Sequence, residues 1–410
     1  MGEYDMKHKI IRAMVEGNFC KKVIRKIDHS IAVFSRNFVG KSTRVQNNKV
    51  IFMAYQNDYA CNPKYITEEM IREKLPVDIV WVVDNIDQRK SHFPKEVRLV
   101  ERNSYEFYKE AITAKFWIDN SINFFWENVP KKKEQILIST WHGSMGLKRV
   151  GKEDNKNLKW VKYSMRCDVD TDYCISDSDF EDKVYRETHW PTRKILKYGH
   201  PRNDILFEKE KIQIIKNKVW DKLNIPKGVK IALYAPTFRD SHRLDVYDID
   251  YPKLSSALER RFGGKWVILA RHHFHLRDDK NASGTVENID KVIRATDYDD
   301  MQELMCVADV GITDYSSWIC DYVLTGKPGF IFATDIDEYN NERGLYYPLE
   351  TTPFPVATNN DELISNVLHF DYEKYADETK VFLADKGCVE DGHASERVVH
   401  KIMEIMEETK

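Results

Sequence analysis

The chain has 410 residues, 42% apolar and 31% charged, with a formal charge of −3. That length and apolar content suit two cores rather than one. The near-balanced charge argues against a nucleic-acid coat, and no apolar run of about 18 residues is present to span a bilayer. Met1-Gly2-Glu3-Tyr4-Asp5 carries no signal-peptide apolar region. Cys20, Cys61, Cys167, Cys174, Cys306, Cys320 and Cys388 are scattered without a C-x-x-C pair. They read as reduced cytosolic thiols, not a disulfide framework or zinc site.

Residues 1–48 differ from the rest. Lys7, Lys9, Arg12, Lys21, Lys22, Arg25 and Lys26 outweigh the acids, and Ile10, Ile11, Met14, Val15, Val23, Ile24, Ile27 and Ile31 recur at helical spacing. A basic amphipathic helix of this kind lies on an anionic membrane surface or packs on the body with a solvated basic face; the pattern favours the membrane. From Lys49 the text alternates. Strands are expected at Val50–Tyr55, Val77–Val83, Val97–Val100 and Ala114–Asp119, with helices at Pro63–Glu73 and Ser104–Ile112. Apolar runs separated by helical stretches predict a parallel α/β sheet. The basic turn Val129-Pro130-Lys131-Lys132-Lys133 leads into Gln135–Ser139 and then Thr140-Trp141-His142-Gly143-Ser144-Met145-Gly146-Leu147-Lys148. A histidine at a strand end sits where α/β proteins place their chemistry, although a packed loop histidine reads the same way.

Ser178 is expected to cap the helix after Asp172–Ser176. Gly199-His200-Pro201-Arg202-Asn203-Asp204 is a polar turn in which Arg202 is a candidate anion ligand. The stretch Glu208–Leu223 reads as the link between halves. In the second half, Lys230–Tyr234 ends in Ala235-Pro236-Thr237-Phe238-Arg239, Trp266–Ala270 in Arg271-His272-His273, and Asp309–Ile312 in Thr313-Asp314-Tyr315-Ser316-Ser317. Strands that end in polar clusters predict a second Rossmann-like domain working at its strand C-termini. Arg271, His272 and His273 could donate to a diphosphate, and the start of the helix after Ser317 could take a phosphate, or Ser317 is only a cap. His272, His273 and His275 lack zinc-ligand spacing, and the D-x-D triplets at Asp168–Asp170 and Asp335–Asp337 read as surface acids.

In this order, the Trp141-His142-Gly143, His200-Pro201-Arg202-Asn203-Asp204, Ala235-Pro236-Thr237-Phe238-Arg239, Arg271-His272-His273 and Thr313-Asp314-Tyr315-Ser316-Ser317 segments resemble the CDP-glycerol glycerophosphotransferase family. Cys61-Asn62-Pro63-Lys64 and Asp391-Gly392-His393-Ala394-Ser395-Glu396-Arg397 join the match. This family makes teichoic acids, with relatives in capsule synthesis. The resemblance implies an α/β, GT-B fold: two Rossmann-like domains facing across a cleft, here with the N-terminal basic amphipathic helical segment added. The expected parts are a membrane-associating segment at 1–48, an acceptor domain at 49–207, a linker at 208–228 and a CDP-donor domain at 229–410.

The resemblance also implies roles. His142 corresponds to the general base, with Arg271 and His273 completing the catalytic set. Arg202, Pro236, Thr237, Arg271, His272, His273, Ser316, Ser317 and Asp321 match donor-binding positions. Trp141, Gly143, Ser144 and Met145 form a loop expected to face the donor polyol or the acceptor. The family usually reads Trp-His-Gly-Thr-Pro-Leu-Lys, whereas Ser144-Met145-Gly146 here replaces the Thr-Pro and lengthens the loop by one residue. The implied substrates are CDP-glycerol or CDP-ribitol and a lipid-linked saccharide or growing teichoic or capsular polymer. A cytoplasmic enzyme peripheral on an anionic membrane is expected, with no nucleic acid and no set oligomeric state. No metal ligand set declares itself; Mg²⁺ could assist through the diphosphate. The alternatives are a GT-B glycosyltransferase using a nucleotide sugar and a non-enzymatic nucleotide-sensing scaffold.

Overall fold

A computed structural model describes residues 43–55, 58–121, 123–127, 129–150, 168–237, 239, 248–272 and 290–409. Most of the N-terminal basic segment and His273 lie outside these residues. Among them, no helix is long and apolar enough to cross a membrane.

The first half builds one sheet from β1 (Gln46–Met53), β2 (Asp78–Val83), β3 (Arg98–Glu101), β4 (Ala114–Asp119), β5 (Ile136–Ser139), β6 (Tyr173–Ser176) and β7 (Lys194–Lys197). Its order is β3-β2-β1-β4-β5-β6-β7, with every pair parallel. β1 begins inside the stretch assigned to the N-terminal segment. Its apolar run alternates between two cores: Val50 and Phe52 join one, Ile51 and Met53 the other. A strand covered on both faces needs such an unbroken apolar run, which is why these parallel strands were legible. Full burial of such side chains contributes about 1.5–3 kcal/mol each.

The second sheet contains β8 (Val229–Tyr234), β9 (Lys265–Ala270), β10 (Val292–Arg294), β11 (Val310–Thr313), β12 (Gly329–Phe332) and β13 (Val356–Ala357), in the order β10-β9-β8-β11-β12-β13. Its pairs are also parallel. Each sheet reverses its winding once, between β1 and β4 and between β8 and β11. Such switch points open a crevice at the strand C-termini. The Trp-His-Gly loop leaves β5 beside the first. Ala235-Pro236-Thr237 and Asp314 lie at the second.

The helices between and after these strands include α1 (Cys61–Arg72), α2 (Tyr105–Thr113), α3 (Asp179–Glu187), α4 (Lys209–Lys222), α5 (Tyr251–Phe262), α6 (Met301–Val307), α7 (Trp318–Tyr322) and α8 (Ala394–Glu408). Ser104 caps α2 by accepting from Phe107 N, and Ser178 caps α3 by accepting from Glu181 N, as the sequence predicts for the latter. Helix α8 follows the second sheet in the chain, yet Val398, Val399, Ile402, Ile405 and Met406 pack with Val50, Phe52, Ile66 and Trp81 of the first. Asp204 holds its N-terminus, accepting from Ala394 N at 2.9 Å and Ser395 N at 2.7 Å. The Asp of His-Pro-Arg-Asn-Asp and the Ala-Ser of the late motif therefore form one joint.

Candidate active site

The histidine loop is seated by residues at the ends of β1 and β4. Thr140 N donates to Asp119 O at 2.8 Å, extending the ladder by one rung. Trp141 then takes φ +48°, a left-handed conformation that bulky residues rarely adopt. His142 Nδ1 lies 2.7 Å from the Asn120 carbonyl. A carbonyl only accepts, so this nitrogen carries the proton and Nε2 keeps its lone pair. The Tyr55 ring stacks parallel to the imidazole at 5.3 Å, and the Asn120 side chain accepts from Tyr55 N at 2.7 Å. Burial of the half-covered ring pushes the His142 pKa down to about 4 against the Asn120 bond, with Arg202 and Lys148 pushing the same way as burial. At neutral pH the ring is neutral and can accept a proton at Nε2.

Trp141 rests on an aromatic wall. Its ring is 4.6 Å from His189 and 5.6 Å, nearly perpendicular, from Trp190. A Cβ on Gly143 would stand 3.0 Å from the Trp141 ring, so only glycine fits here without displacing it. The Gly143 carbonyl accepts from Arg202. In the replaced Ser144-Met145-Gly146 stretch, expected to face the donor polyol or the acceptor, Ser144 and Met145 are buried. Ser144 Oγ donates to Asp177, and Met145 is fully buried in the second domain's core. The Met145 carbonyl accepts from Tyr347 and from Cys320 Sγ at 3.4 Å. Lys148 then bridges antiparallel to Leu345, and Tyr346 N donates to Leu147 O at 2.8 Å. The extra residue lengthens a strap that crosses between domains, bringing Gly146 to where its Cβ would meet Ser317 Cβ at 3.3 Å.

Arg202 and Asp321, both expected to touch donor, touch each other. Arg202 Nε lies 2.8 Å from Asp321 Oδ2, and both side chains are buried. Asn203 adds a bond to Asp321 Oδ1 at 3.1 Å. The pair joins the two domains directly behind Gly143. Beneath it, His200 Nε2 is 2.9 Å from Glu181 Oε2 and 3.8 Å from Asp177 Oδ2. Burial raises the Asp177 and Glu181 carboxyls to about 7 and lowers the His200 ring to about 4. Among the described residues this trio has the composition of a metal site. Its oxygens are already engaged: Asp177 accepts from Ser144 and Ser178, and Glu181 accepts from Tyr185 and Asp177 N. A hydrogen-bonded, proton-sharing cluster fits these contacts better than a Mg²⁺ site, which needs near-octahedral oxygens and retained waters.

The second wall is charged and tightly braced. Thr237 N donates to Asp314 Oδ1 at 2.8 Å, and Pro236 precedes it at the end of β8. Arg239 lies 2.8 Å from Asp314 and 2.7 Å from Asp335, over the stacked rings of Tyr315 and Tyr339. Asp335 is thus a structural partner rather than a surface acid. So is Asp168, which accepts from Thr192 N and Oγ1. Arg271 is held by the carbonyls of Tyr298 at 3.1 Å and Asp299 at 3.4 Å. His272 beside it is buried, which lowers its pKa to about 4. Ser316 and Ser317 are half-buried, and the Ser317 hydroxyl does not cap α7. The strap therefore brings the histidine loop and the Ser316–Ser317 turn together. Sequence reasoning missed Tyr55, Asn120 and Asn62 as seating residues. Only Asn62 stood in a noted motif; the other two sit at strand ends without a pattern of their own.

A family model described as CDP-Glycerol:Poly(glycerophosphate) glycerophosphotransferase matches residues 34–404. The chain is 31% identical over 381 residues to a teichoic acid poly(glycerol phosphate) polymerase of Staphylococcus epidermidis, covering 88% of this chain and 52% of that one. It thus spans about half the length of that relative. It is 28% identical to a teichoic acid glycerol-phosphate transferase of Staphylococcus aureus, covering 93% of this chain and 99% of that one. Its structure is similar to that of the wall teichoic acid polymerase TagF, with a TM-score of 0.78 and 27% identity over 95% of this chain and 99% of that chain.

Proposed function

This chain belongs to the CDP-glycerol:poly(glycerophosphate) glycerophosphotransferase family, and from that membership and the site above we propose that it transfers glycerol phosphate from CDP-glycerol to an acceptor hydroxyl, releasing CMP. The acceptor is the hydroxyl end of a lipid-linked saccharide or a growing teichoic or capsular polymer. The observation that carries the reading is the neutral His142, with Nδ1–H on Asn120 O and Nε2 left as the base.

The chemistry follows from the two walls. The acceptor oxygen attacks the β-phosphorus of the donor as its proton passes to His142 Nε2. A new P–O bond forms, the bond from the β-phosphorus to the bridging oxygen breaks, and CMP leaves with that oxygen. Negative charge builds on the phosphoryl oxygens, and fixed donors that need no reorganisation stabilise it best. Arg271, the Ser316 and Ser317 hydroxyls and His273 supply those donors in this reading. Pro236 and Thr237 lie at the end of β8, where their backbone would meet the cytosine. Trp141 and Gly143 shape the acceptor side. Arg202 and Asp321 act behind them, holding the Gly143 carbonyl and the domain junction. The basic residues of 1–48 hold the enzyme against the anionic inner face of the cell membrane.

The deciding experiment offers CDP-glycerol, CDP-ribitol and a UDP-sugar with a lipid-linked disaccharide, and identifies products by mass spectrometry. CMP release and a mass gain of one glycerol phosphate are expected. Turnover of the nucleotide sugar alone overturns the reading. Liposome sedimentation tests the membrane role: removal of residues 1–42 should abolish binding to anionic vesicles, and unchanged binding contradicts it.

A further inference from the structure

The Cys61-Asn62-Pro63-Lys64 turn has no part in the transfer chemistry above, yet it touches both halves of the site. Cys61 opens α1 at φ +59°, so the chain enters this helix through a left-handed residue. Asn62 is fully buried. Its Nδ2 donates to the carbonyls of Thr140 at 3.0 Å and Trp141 at 3.1 Å and lies 3.3 Å from His200 Nδ1. Its Oδ1 accepts from Arg202 N at 3.1 Å. One side chain thus fixes the peptide that leads into His142 and the start of the His-Pro-Arg turn.

Two residues on, and about 200° around the helix, Lys64 reaches into the other domain. Its Nζ is 2.5 Å from Asp300 Oδ2 and 2.7 Å from Glu303 Oε1, with all three side chains buried. Tyr65 OH adds a bond to Asp300 Oδ2 at 2.9 Å. Asp300 directly follows Tyr298 and Asp299, whose carbonyls hold Arg271. The contacts run from the His142 loop through Asn62 and Lys64 to the segment that aims Arg271.

We infer that the first turn of α1 is a rigid spacer that sets the distance between the acceptor base and the donor wall, with Asn62 and Lys64 as positioning residues. A short helical turn suits this role because its backbone hydrogen bonds leave little freedom between positions i and i+2. Loose positioning is costly in transfer chemistry: a 1 Å error at the reacting centre removes about 100-fold in rate. Domain adhesion alone would need only Lys64. The junction is tied at Asn62 to the peptide that carries the base.

The inference rests on the proposed reaction, and the test separates the two. Lys64→Met should lower kcat about 10- to 100-fold while CDP-glycerol still binds with unchanged stoichiometry and near-native affinity by calorimetry, because the donor wall belongs to the second domain. Asn62→Ala should do the same. The double variant should lose no more than the larger single loss, since either break frees the same spacer. Lys64→Met leaves the buried Asp300 without a cation and Glu303 with Lys218 alone, so the Lys64→Met, Asp300→Asn, Glu303→Gln triple is measured beside it; it should fold and remain slow. If Lys64→Met does not fold, Asn62→Ala and the triple decide. Near-native kcat per binding site in a folded variant, or losses that multiply, overturns the spacer. If the wild-type chain releases no CMP, the functional reading falls, and amide exchange judges the spacer instead. Asn62→Ala should then speed exchange across residues 140–147, and unchanged exchange there overturns it.

Discussion

The two strand-end walls differ in how they are built. The acceptor side is neutral and seated by contacts from distant parts of the chain: Asn120 on the His142 ring, Asn62 on the loop backbone and Arg202 on Gly143. The donor side is charged and braced from within its own domain by Arg239, Asp314 and Asp335. The difference follows from the work each wall does. A base must present one lone pair in one direction, which burial and a fixed tautomer secure. A diphosphate site must hold concentrated charge, which needs cations whose neighbours do not yield.

The largest predicted effect removes the acceptor side outright. His142→Ala should lower CMP release at saturating acceptor about 10²–10⁴-fold, with CDP-glycerol binding retained in calorimetry. Loss of donor binding in the same variant would place the histidine on the wrong wall. Next in size is the brace of the donor side. Arg239→Met leaves Asp314 and Asp335 facing each other without their cation and should cost about 3–5 kcal/mol in urea unfolding; a cost below about 1 kcal/mol would show a pair that solvent already screens.

The cluster below the acceptor wall gives a smaller effect that depends on pH. Asp177 and Glu181 have folded pKa values near 7, above their unfolded values. Their contribution to stability is complete at acidic pH and is lost as pH rises through about 7. His142 and His200 have folded values near 4, below their unfolded values, so theirs is lost as pH falls from about 6.5 toward 4. Thermal melts should peak at mildly acidic pH, and Asp177→Asn should flatten the limb above the peak. The smallest expected effect probes the strap. Gly146→Ala places a methyl 3.3 Å from Ser317 Cβ and should cost about 1 kcal/mol in stability. CMP release should fall no more than a few fold; a larger loss would mean that the strap bears on the donor directly.

Much of this molecule was legible because parallel strands buried on both faces must be written as apolar runs. Val50–Met53 and Ala114–Asp119 announce themselves for that reason, and the polar clusters that follow such runs mark the working edges. The histidine was legible as a candidate, but its tautomer was not, since Asn120 contributes a backbone carbonyl that every residue has. Arg202 and Asp321 were legible as polar but not as partners, because a pair 119 positions apart leaves no local pattern. The partners of Ser144 and Met145 were hidden for a related reason. A loop beside a reactive histidine looks like a pocket wall, and only the fold shows its side chains spent on Asp177 and on the neighbouring core. The late motif looked like part of the second domain because it follows that domain in the chain.

The return of α8 to the first sheet makes the order of events in synthesis differ from the order of the domains. The faces of Val50, Phe52 and Trp81 wait for Val398 and Ile402, and the joint is completed by Asn47 Nδ2 donating to Thr409 O at 3.1 Å, across 362 positions. A nascent first domain therefore keeps an uncovered apolar face while the whole second domain is made. The second domain, whose core draws little from α8, can close first. Chaperone demand and sensitivity to truncation should concentrate on the half that the ribosome releases earliest.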